Sequence, residues 1–244
     1  MRVLRWWVFG TFGALFLLAG GLILFAMLKG RPQDLPWTPL DLADPPGLFT
    51  GRKLAGLTHD FPRCQALMQK AGVRYTVLPE VSDGEHCGYA DGVRFIGGGP
   101  RRIDYLPSDL GISCPVAAGL TLWEWNVVQP AALKHFGKRV SAIEHYGSYS
   151  CRHIVGRGGE SWSQHSTADA VDISAFRLED ATRIVIKKDW KGGDPAKEAF
   201  LRDVRTGACK LFTIVLSPDY NEAHRDHFHM DQGARGEFGW RGCW

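Results

Sequence analysis

The part of this chain that follows residue 31 carries almost no net charge. The 244 residues sum to +3 at neutral pH, and four of the positive side chains lie in residues 1–31, which contain no acid. Residues 32–244 therefore sum to −1. Binding nucleic acid without sequence preference requires a dense Lys and Arg surface that displaces counterions. The charge balance argues against that function, and we predict no nucleic-acid partner.

The sequence also lacks a phosphate-binding loop. Its glycine-rich segment at residues 156–159 has no lysine at the position that such loops require, and it follows no clear strand. We therefore predict no nucleotide partner. Internal repeats and low-complexity tracts are absent as well, and a hydrophobic content of 45% is sufficient for a folded domain with a core.

The six cysteines include no Cys-x-x-Cys pair, which argues against a zinc ribbon or a thioredoxin-like motif. An even number of cysteines is typical of exported proteins with disulfides, and we predict three such bonds. Many pairings are possible, and we favour only Cys64 with Cys87, because these two lie near each other in sequence. Buried free thiols are the alternative.

The N-terminus contains a long uncharged run. Trp6 to Leu28 is free of charge over 23 positions, and a helix of that length spans about 34 Å, more than the roughly 30 Å of hydrocarbon in a bilayer. We predict a transmembrane helix in residues 1–29, with the membrane as a partner. The short basic N-terminus would then stay inside, and the C-terminal body would be exported. A cleaved signal peptide that releases the body is the alternative.

The remaining sequence divides into a linker and one domain. Residues 30–48 contain five prolines, a density typical of an extended spacer, so the domain is predicted to occupy residues 49–244. Apolar spacing predicts helices at 117–136, with a kink or break at Pro130, and at 195–206. Short strands are predicted at 139–146, 170–176, 183–187, 211–216 and 228–231. This order indicates an α+β fold with a mainly antiparallel β-sheet and flanking helices.

Three of the nine histidines lie within six residues, as His224, His227 and His229. Alternate residues of a strand share a face, so His227 and His229 would project into one cleft. Upstream, His165 lies in a Gly- and Ser-rich loop and Asp172 lies between apolar residues of a predicted strand. Hydrolytic zinc sites use three nitrogen or oxygen ligands and keep a fourth position open. His165, Asp172 and one of His227 or His229 therefore form a candidate Zn²⁺ site. The alternative is a solvated histidine loop with Asp172 capping a strand edge.

The order of these residues resembles a known zinc signature. Ser163-x-His165, then Asp172, then His227-x-His229 is similar to the pattern of lysostaphin-type endopeptidases, D-alanyl-D-alanine metallopeptidases and the hedgehog signalling domain. A closer resemblance, over roughly residues 49–243, is to the extensin-like C-terminal domain family of exported bacterial proteins. The motifs that carry it are Ser113-Cys114-Pro115, Val128-Gln129-Pro130-Ala131, His145-Tyr-Gly-Ser-Tyr-Ser-Cys151-Arg152 and Ala223-His224-Arg225-Asp226-His227-Phe228-His229.

The resemblance implies a role for each residue of the candidate site. His165, Asp172 and His229 would bind Zn²⁺, and His227 would act as a general base or stabilise an oxyanion. Related carboxypeptidases place a glutamate three residues before the last ligand, where this chain has Asp226, so Asp226 is a competing base. We favour His227, because an odd spacing along a strand would turn Asp226 and His229 to opposite faces.

The resemblance also implies roles for two more side chains. His224 resembles an additional cleft histidine of murein endopeptidases, with a plain loop histidine as the alternative. Arg152 resembles the arginine that these peptidases bring to the substrate, where a guanidinium would bind a terminal carboxylate or the oxyanion. Here Arg152 is followed by His153 rather than the usual serine, and its distance in sequence from His165 is shorter than in typical carboxypeptidases. A surface arginine paired with an acid is the alternative.

The resemblance implies a fold like that of hedgehog and the D-alanyl-D-alanine metallopeptidases. It also implies an exported zinc peptidase that hydrolyses an amide bond in peptidoglycan stem peptides or cross-links. Because the family is bacterial, the predicted anchor would lie in the inner membrane with the C-terminal domain in the periplasm, or the domain would be released to the periplasm if the N-terminus is cleaved. A non-catalytic, zinc-containing cell-wall-binding module is the alternative. A third class, a glycan-cleaving enzyme, would use Glu144 and Glu160 as its pair of carboxylates.

Overall fold

The computed structural model describes residues 2–97, 103–154, 161–235 and 239–244. Its helices are α1 (Arg2–Lys29), α2 (Thr50–Ala55), α3 (Phe61–Lys70), α4 (Cys114–Trp123), α5 (Gln129–Phe136), α6 (Ile186–Asp189) and α7 (Pro195–Leu211). Its strands are β1 (Arg74–Val77), β2 (Val81–Ser82), β3 (Gly88–Tyr89), β4 (Gly92–Gly97), β5 (Asp104–Leu106), β6 (Gly111–Ser113), β7 (Val140–Gly147), β8 (Ala170–Leu178), β9 (Arg183–Val185), β10 (Ile214–Leu216), β11 (Phe228–Asp231) and β12 (Gly242–Cys243). The glycine-rich segment at 156–159 lies outside the described residues.

A seven-stranded sheet forms the framework of the domain. Its strand order is β12-β10-β11-β8-β7-β5, and β9 pairs with β8 beside this path. Pairing is antiparallel within it, except between β10 and β12 and between β5 and β7. Two smaller sheets, β1-β4-β6 and β2-β3, are antiparallel throughout. The predicted mixed α+β class with antiparallel sheets is confirmed.

Aromatic packing joins the large sheet to the helices. Phe176 of β8 contacts Trp123 of α4 and Phe200 of α7, with ring centroids 5.8 and 5.1 Å apart. The Trp123 indole N–H donates to the Val204 carbonyl of α7 at 2.8 Å, which satisfies its polar atom inside the core. All three rings are fully buried. This packing holds β8, the strand that carries Asp172, against the helical layer.

The helices depart from prediction at two places. The chain does not break before Pro130, because a π-helical turn at Glu124–Val128 leads directly into α5. Pro130 lies in the first turn of α5, where a missing backbone N–H is tolerated. Helix α7 begins as predicted, with Asp194 accepting from the Ala196 amide at 2.8 Å, but it continues to Leu211. Its buried face extends past the predicted end.

The proline-rich segment at 30–48 packs against the domain instead of standing free as a spacer. Leu40 and Leu42 are 3% and 1% exposed and belong to the hydrophobic core. The Gln33 amide is buried too, and its nitrogen donates to the Pro39 carbonyl at 3.1 Å. The Cα of Gly47 approaches Gln33 so closely that a Cβ there would lie 2.4 Å from the Gln33 carbonyl carbon. Apolar residues between the prolines explain this docking.

The predicted transmembrane helix is not supported. Across the part of the chain that the structure describes, no helix combines the length and the apolar character that a membrane crossing requires.

Three disulfides are present, as predicted, but the favoured Cys64–Cys87 pair is wrong. The bonds are Cys64–Cys114, Cys87–Cys151 and Cys209–Cys243. Cys64 lies on the buried side of α3 and meets the first residue of α4, 50 positions away. Cys87, near the start of β3, reaches Cys151 across 64 positions. Proximity in sequence misled the prediction because tertiary packing decides which cysteines meet.

A buried carboxyl in the π-helical turn gives a testable pH dependence. Burial raises the pKa of Glu124 to about 8, although the hydrogen bond donated by the Tyr105 hydroxyl opposes the shift. The folded state therefore keeps a proton that the unfolded state releases, and stability falls as pH rises toward 8. Between pH 5 and 8 we expect the stability advantage of Glu124→Gln over the parent to grow by up to about 1.4 kcal/mol per pH unit. Urea unfolding at each pH measures this difference.

Glu144→Gln is the matched control. Hydrogen bonds from Arg183 and Arg177 outweigh partial burial and hold the pKa of Glu144 below its usual range. That carboxylate is ionised in both folded and unfolded states between pH 5 and 8, so its variant should differ from the parent by a constant amount there. A constant difference for Glu124→Gln as well would contradict the assignment of a protonated buried Glu124.

Candidate metal centre

The register of two strands brings two candidate ligands together. Asp172 of β8 and His229 of β11 are direct partners across the antiparallel pair, and such partners project from the same face. Nδ1 of His229 lies 3.0 Å from Oδ1 of Asp172. Both side chains are largely buried, with 12% and 13% of their surfaces exposed for His229 and Asp172. Strand pairing alone thus assembles two of the three ligands that the sequence proposes.

The third candidate ligand, His165, comes from a 3-10 turn at Gln164–Thr167. The Ser163 hydroxyl caps this turn by accepting a hydrogen bond from the His165 amide at 3.3 Å. The turn ends at Ala168, whose φ of 58° is in the left-handed region. That conformation is strained for alanine, and it redirects the chain into β8. The local backbone therefore fixes where His165 lies relative to Asp172.

The three ligand atoms form a compact triangle. Nε2 of His165 is 3.2 Å from Oδ1 of Asp172 and 3.1 Å from Nδ1 of His229. Tetrahedral zinc, with bonds of about 2.0–2.1 Å, separates its ligand atoms by roughly 3.3 Å. Nδ1 of His165 donates to the Ser148 carbonyl at 2.6 Å, so Nε2 is the ring nitrogen that faces the other two ligand atoms and would bind a metal when it carries no proton. Within the described ranges, this is the one group of three His, Cys, Asp or Glu side chains close enough to hold a metal ion.

The electrostatics of the triangle suit a cation. Burial opposes ionisation of Asp172, but hydrogen bonds from His165 and His229 outweigh it and hold the pKa of Asp172 well below its usual range. Burial also favours neutral His229, yet Asp172 and Asp231 raise its pKa to about 9. Without a metal, the cluster therefore stabilises a carboxylate beside a protonated imidazole, and a bound divalent ion would displace that proton and supply the positive charge in its place.

Asp231 contacts the ring nitrogen of His229 that faces away from the other two ligands, and it was not predicted from the sequence. Its Oδ2 lies 3.5 Å from Nε2 of His229 and accepts from Arg235 at 2.8 Å. A carboxylate at this nitrogen sets the tautomer that leaves Nδ1 of His229 available for a metal. Asp231 follows His229 by two residues on β11. Because alternate residues of a strand share a face, the sequence could have indicated that Asp231 lies beside His229. The sequence could not indicate the contact between His165 and the Ser148 carbonyl, because that oxygen belongs to the backbone and is present at every residue.

His227 and Asp226 form a hydrogen-bonded pair next to the triangle. Nδ1 of His227 is 2.9 Å from Oδ1 of Asp226, and Nε2 of His227 is 3.6 Å from Oδ1 of Asp172. The argument that Asp226 faces away from His229 assumed a strand at residue 226, but β11 begins at Phe228. The structure places Asp226 in the preceding turn, where it contacts His227.

His224 lies in the same cleft. Its ring centroid is 5.2 Å from that of His227 and 5.9 Å from that of His229. Burial, followed by the positive charges of His227 and His229, lowers the pKa of His224 to about 4. The imidazole is therefore neutral at neutral pH, and its Nδ1 donates to the Asn221 side-chain oxygen at 2.7 Å.

Arg152 is exposed, and its charge is near enough to this cleft to contribute to the lowered pKa of His224. Among the residues that the structure describes, Arg152 has no acidic partner within ion-pair distance, so the surface-pair alternative gains no support. The neighbouring Cys151 is bonded to Cys87, which restrains the segment that carries Arg152.

Glu144, one of the two carboxylates of the glycan-cleaving alternative, is held in ion pairs. Glu144 forms ion pairs with Arg177 and Arg183 at 2.6 and 2.5 Å, and its pKa is lowered rather than raised as a general acid would require. Its proposed partner, Glu160, lies outside the described residues. Ser166 donates to the Ser163 carbonyl at 2.6 Å, so these serines stabilise the turn that carries His165.

A cavity of about 360 Å³ adjoins that turn on the side of the β2–β3 hairpin. Gln164, Thr167 and Glu85 line it, but none of the three ligands does. The Trp162 ring at its edge stacks on His153, with centroids 4.0 Å apart. The cavity is therefore separate from the metal centre.

Comparison with known proteins gives one match. The family described as extensin-like protein C-terminus matches residues 62–244, which include every residue of the metal centre. No curated protein and no solved structure matches the chain. Because the match covers far more than half of the sequence, the chain belongs to the extensin-like protein C-terminus family.

Proposed function

We propose that this chain is an exported zinc-dependent peptidase that hydrolyses an amide bond in peptidoglycan stem peptides or cross-links. The observation that carries the proposal is a triangle of two nitrogens and one oxygen, 3.0–3.2 Å apart, beside an Asp–His pair. The order of these residues resembles that of the hedgehog and D-alanyl-D-alanine metallopeptidase group, and we extend the proposal to a shared fold. Three disulfides support export to an oxidising compartment, which we propose is the periplasm.

The donor set fits zinc. His165 and His229 offer imidazole nitrogens and Asp172 offers a carboxylate oxygen, a combination typical of hydrolytic sites that keep one position open. Bound zinc would supply Lewis-acid polarisation of the scissile carbonyl and would acidify water. Asp231 and the Ser148 carbonyl hold the two imidazoles in the required tautomers.

His227 is the proposed general base. Asp226 accepts the hydrogen bond from Nδ1, so Nε2 carries the lone pair and faces the triangle. Nε2 would take the proton from the attacking water and later return it to the leaving amine. Asp226 keeps the imidazole in the correct tautomer and stabilises its charged form, as the carboxylate of a catalytic triad does.

The remaining side chains of the cleft position the substrate. The exposed guanidinium of Arg152 is available to a substrate carboxylate or to the oxygen that gains charge during attack. His224, neutral and hydrogen-bonded to Asn221, presents its second ring nitrogen to the cleft without adding a charge.

Mass spectrometry of cross-linked muropeptides tests the function. The oxidised, zinc-loaded full chain should create a new amine and a new carboxyl at one defined bond. Asp172→Ala removes the ligand that contacts both histidines, so it should abolish the cleavage.

A chain that binds zinc yet leaves all muropeptides intact would contradict the peptidase. Sedimentation with purified cell wall would then test the non-catalytic wall-binding module. Release of reducing sugar ends that persists with a chelator would instead indicate glycan cleavage.

A further inference from the structure

A series of aromatic rings extends from the metal centre to the C-terminus. We call His224, Tyr220, Trp244 and Trp240 the aromatic track. Successive ring centroids along it are 5.5, 5.6 and 5.7 Å apart. His224 connects the track to His229, at 5.9 Å. The proposed function uses only the first of these four rings.

The far end of the track is exposed. Trp240 is 59% exposed and Trp244 is 38% exposed. Tryptophan usually buries most of its large apolar surface, so two neighbouring exposed indoles are an unusual feature of a folded surface. Exposed apolar patches of this kind commonly mark binding sites.

Contacts with the domain hold the Trp244 part of the track in place. The Trp244 ring lies over Gly242, where a Cβ would come within 2.0 Å of the indole. The Ser217 amide and hydroxyl both donate to the Trp244 carbonyl, at 2.9 and 2.6 Å. The adjacent Cys243 is bonded to Cys209 in α7. A surface fixed in this way loses little conformational entropy when it binds a ligand.

The charged groups beside the track neutralise one another. Glu222 pairs with Arg225 at 2.9 Å. Asp219 pairs with Arg202 at 2.6 Å and with Lys191 at 2.8 Å, and Glu198 lies 3.6 Å from Arg202, so the acids and bases of this group are equal in number. The track therefore presents aromatic ring faces, and the ion pairs beside it carry no net charge. This favours an uncharged ligand over an acidic or basic polymer.

We propose that the aromatic track binds uncharged pyranose rings of the glycan strand to which the stem peptide is attached. This inference rests on the proposed function and adds the glycan strand as a second part of the substrate that the chain binds. The C–H face of a pyranose stacks on an indole, while exposed Asn221 and Glu222 can hydrogen-bond to its hydroxyl and acetamido groups. Continuity with His224 would place the sugar beside the scissile peptide.

Titration of the oxidised full chain with tetra-N-acetylchitotetraose, followed by NMR of the indole N–H signals, tests the inference directly. Trp240→Ala should weaken binding by about 10-fold, the scale of an aromatic stacking contact. Trp240→Tyr, which keeps a ring face, should restore most of the affinity. Trp37→Ala is the control, because Trp37 is also exposed, at 77%, and lies outside the track. Absence of binding by the parent, or equal loss in Trp37→Ala and Trp240→Ala, would overturn the proposal.

A second comparison separates this inference from the peptidase proposal. Trp240→Ala should raise KM for a muropeptide that carries its disaccharide and leave hydrolysis of the same peptide without sugar unchanged. If the parent cleaves neither substrate, the peptidase proposal fails, whereas the sugar titration still decides the role of the track. Equal KM changes for both substrates would contradict sugar binding.

Discussion

His165→Ala should remove zinc from the chain. The parent is expected to retain one zinc per molecule after dialysis, because a single group of ligands is present in the described residues. Loss of Nε2 of His165 leaves Asp172 and His229 as the remaining ligands, and we expect zinc affinity to fall by at least about 100-fold. Elemental analysis and competition with a zinc-binding dye measure the content and the affinity.

Two variants make that result interpretable. His153→Ala removes an exposed histidine that stacks on Trp162, so it should bind zinc like the parent. Asp172→Asn keeps the size of the ligand side chain but loses its charge, and it should lose zinc with a near-native circular dichroism spectrum. Full zinc occupancy in folded His165→Ala would exclude the proposed triangle.

His227→Gln should lower the rate of catalysis without removing the bound zinc. We expect this variant to keep its zinc, because His227 is not one of the three ligands, while kcat on a muropeptide falls by about 10²–10⁴-fold. The physical reason is the loss of Nε2, the nitrogen 3.6 Å from Asp172, as a proton acceptor. Steady-state kinetics at equal zinc occupancy measures the change.

Asp226→Asn distinguishes the two candidate bases. The amide of Asn still reaches Nδ1 of His227 but carries no charge to stabilise the protonated imidazole, so we expect a substantial loss of kcat that does not exceed the loss in His227→Gln. The double variant should resemble His227→Gln alone, since both residues act through one proton transfer. A larger loss in Asp226→Asn than in His227→Gln would assign the base to Asp226.

Local patterns in the sequence were sufficient to predict β8 and β11, the strands that carry Asp172 and His229. The predicted strand at 228–231 matches β11, and the prediction at 170–176 covers most of β8. Alternating apolar residues define such strands through contacts within a few positions. Their mutual register, which sets Asp172 opposite His229, depends on residues far apart in sequence. No local pattern specifies that pairing, so residue type and spacing left His227 and His229 as alternatives for the third ligand, and only the resemblance favoured His229.

The errors arise where distant packing overrides a local pattern. Cys64 pairs with Cys114 because α3 packs against the start of α4. Leu40 and Leu42 enter the core although the prolines around them are typical of a spacer. Asp226 contacts His227 because the chain turns just before β11, and a count of odd and even positions does not apply outside a strand.

The disulfides restrain segments on either side of the ligand triangle and leave the triangle itself without a covalent link. The ligands come from the β8–β11 register and a capped turn, and no disulfide joins these elements. Cys87–Cys151 restrains the segment next to Arg152, and Cys209–Cys243 restrains the segment next to Trp244. We therefore expect reduction of the disulfides to loosen the segments beside Arg152 and Trp244 more than the ligand triangle, which strand pairing and the capped turn hold without a covalent link.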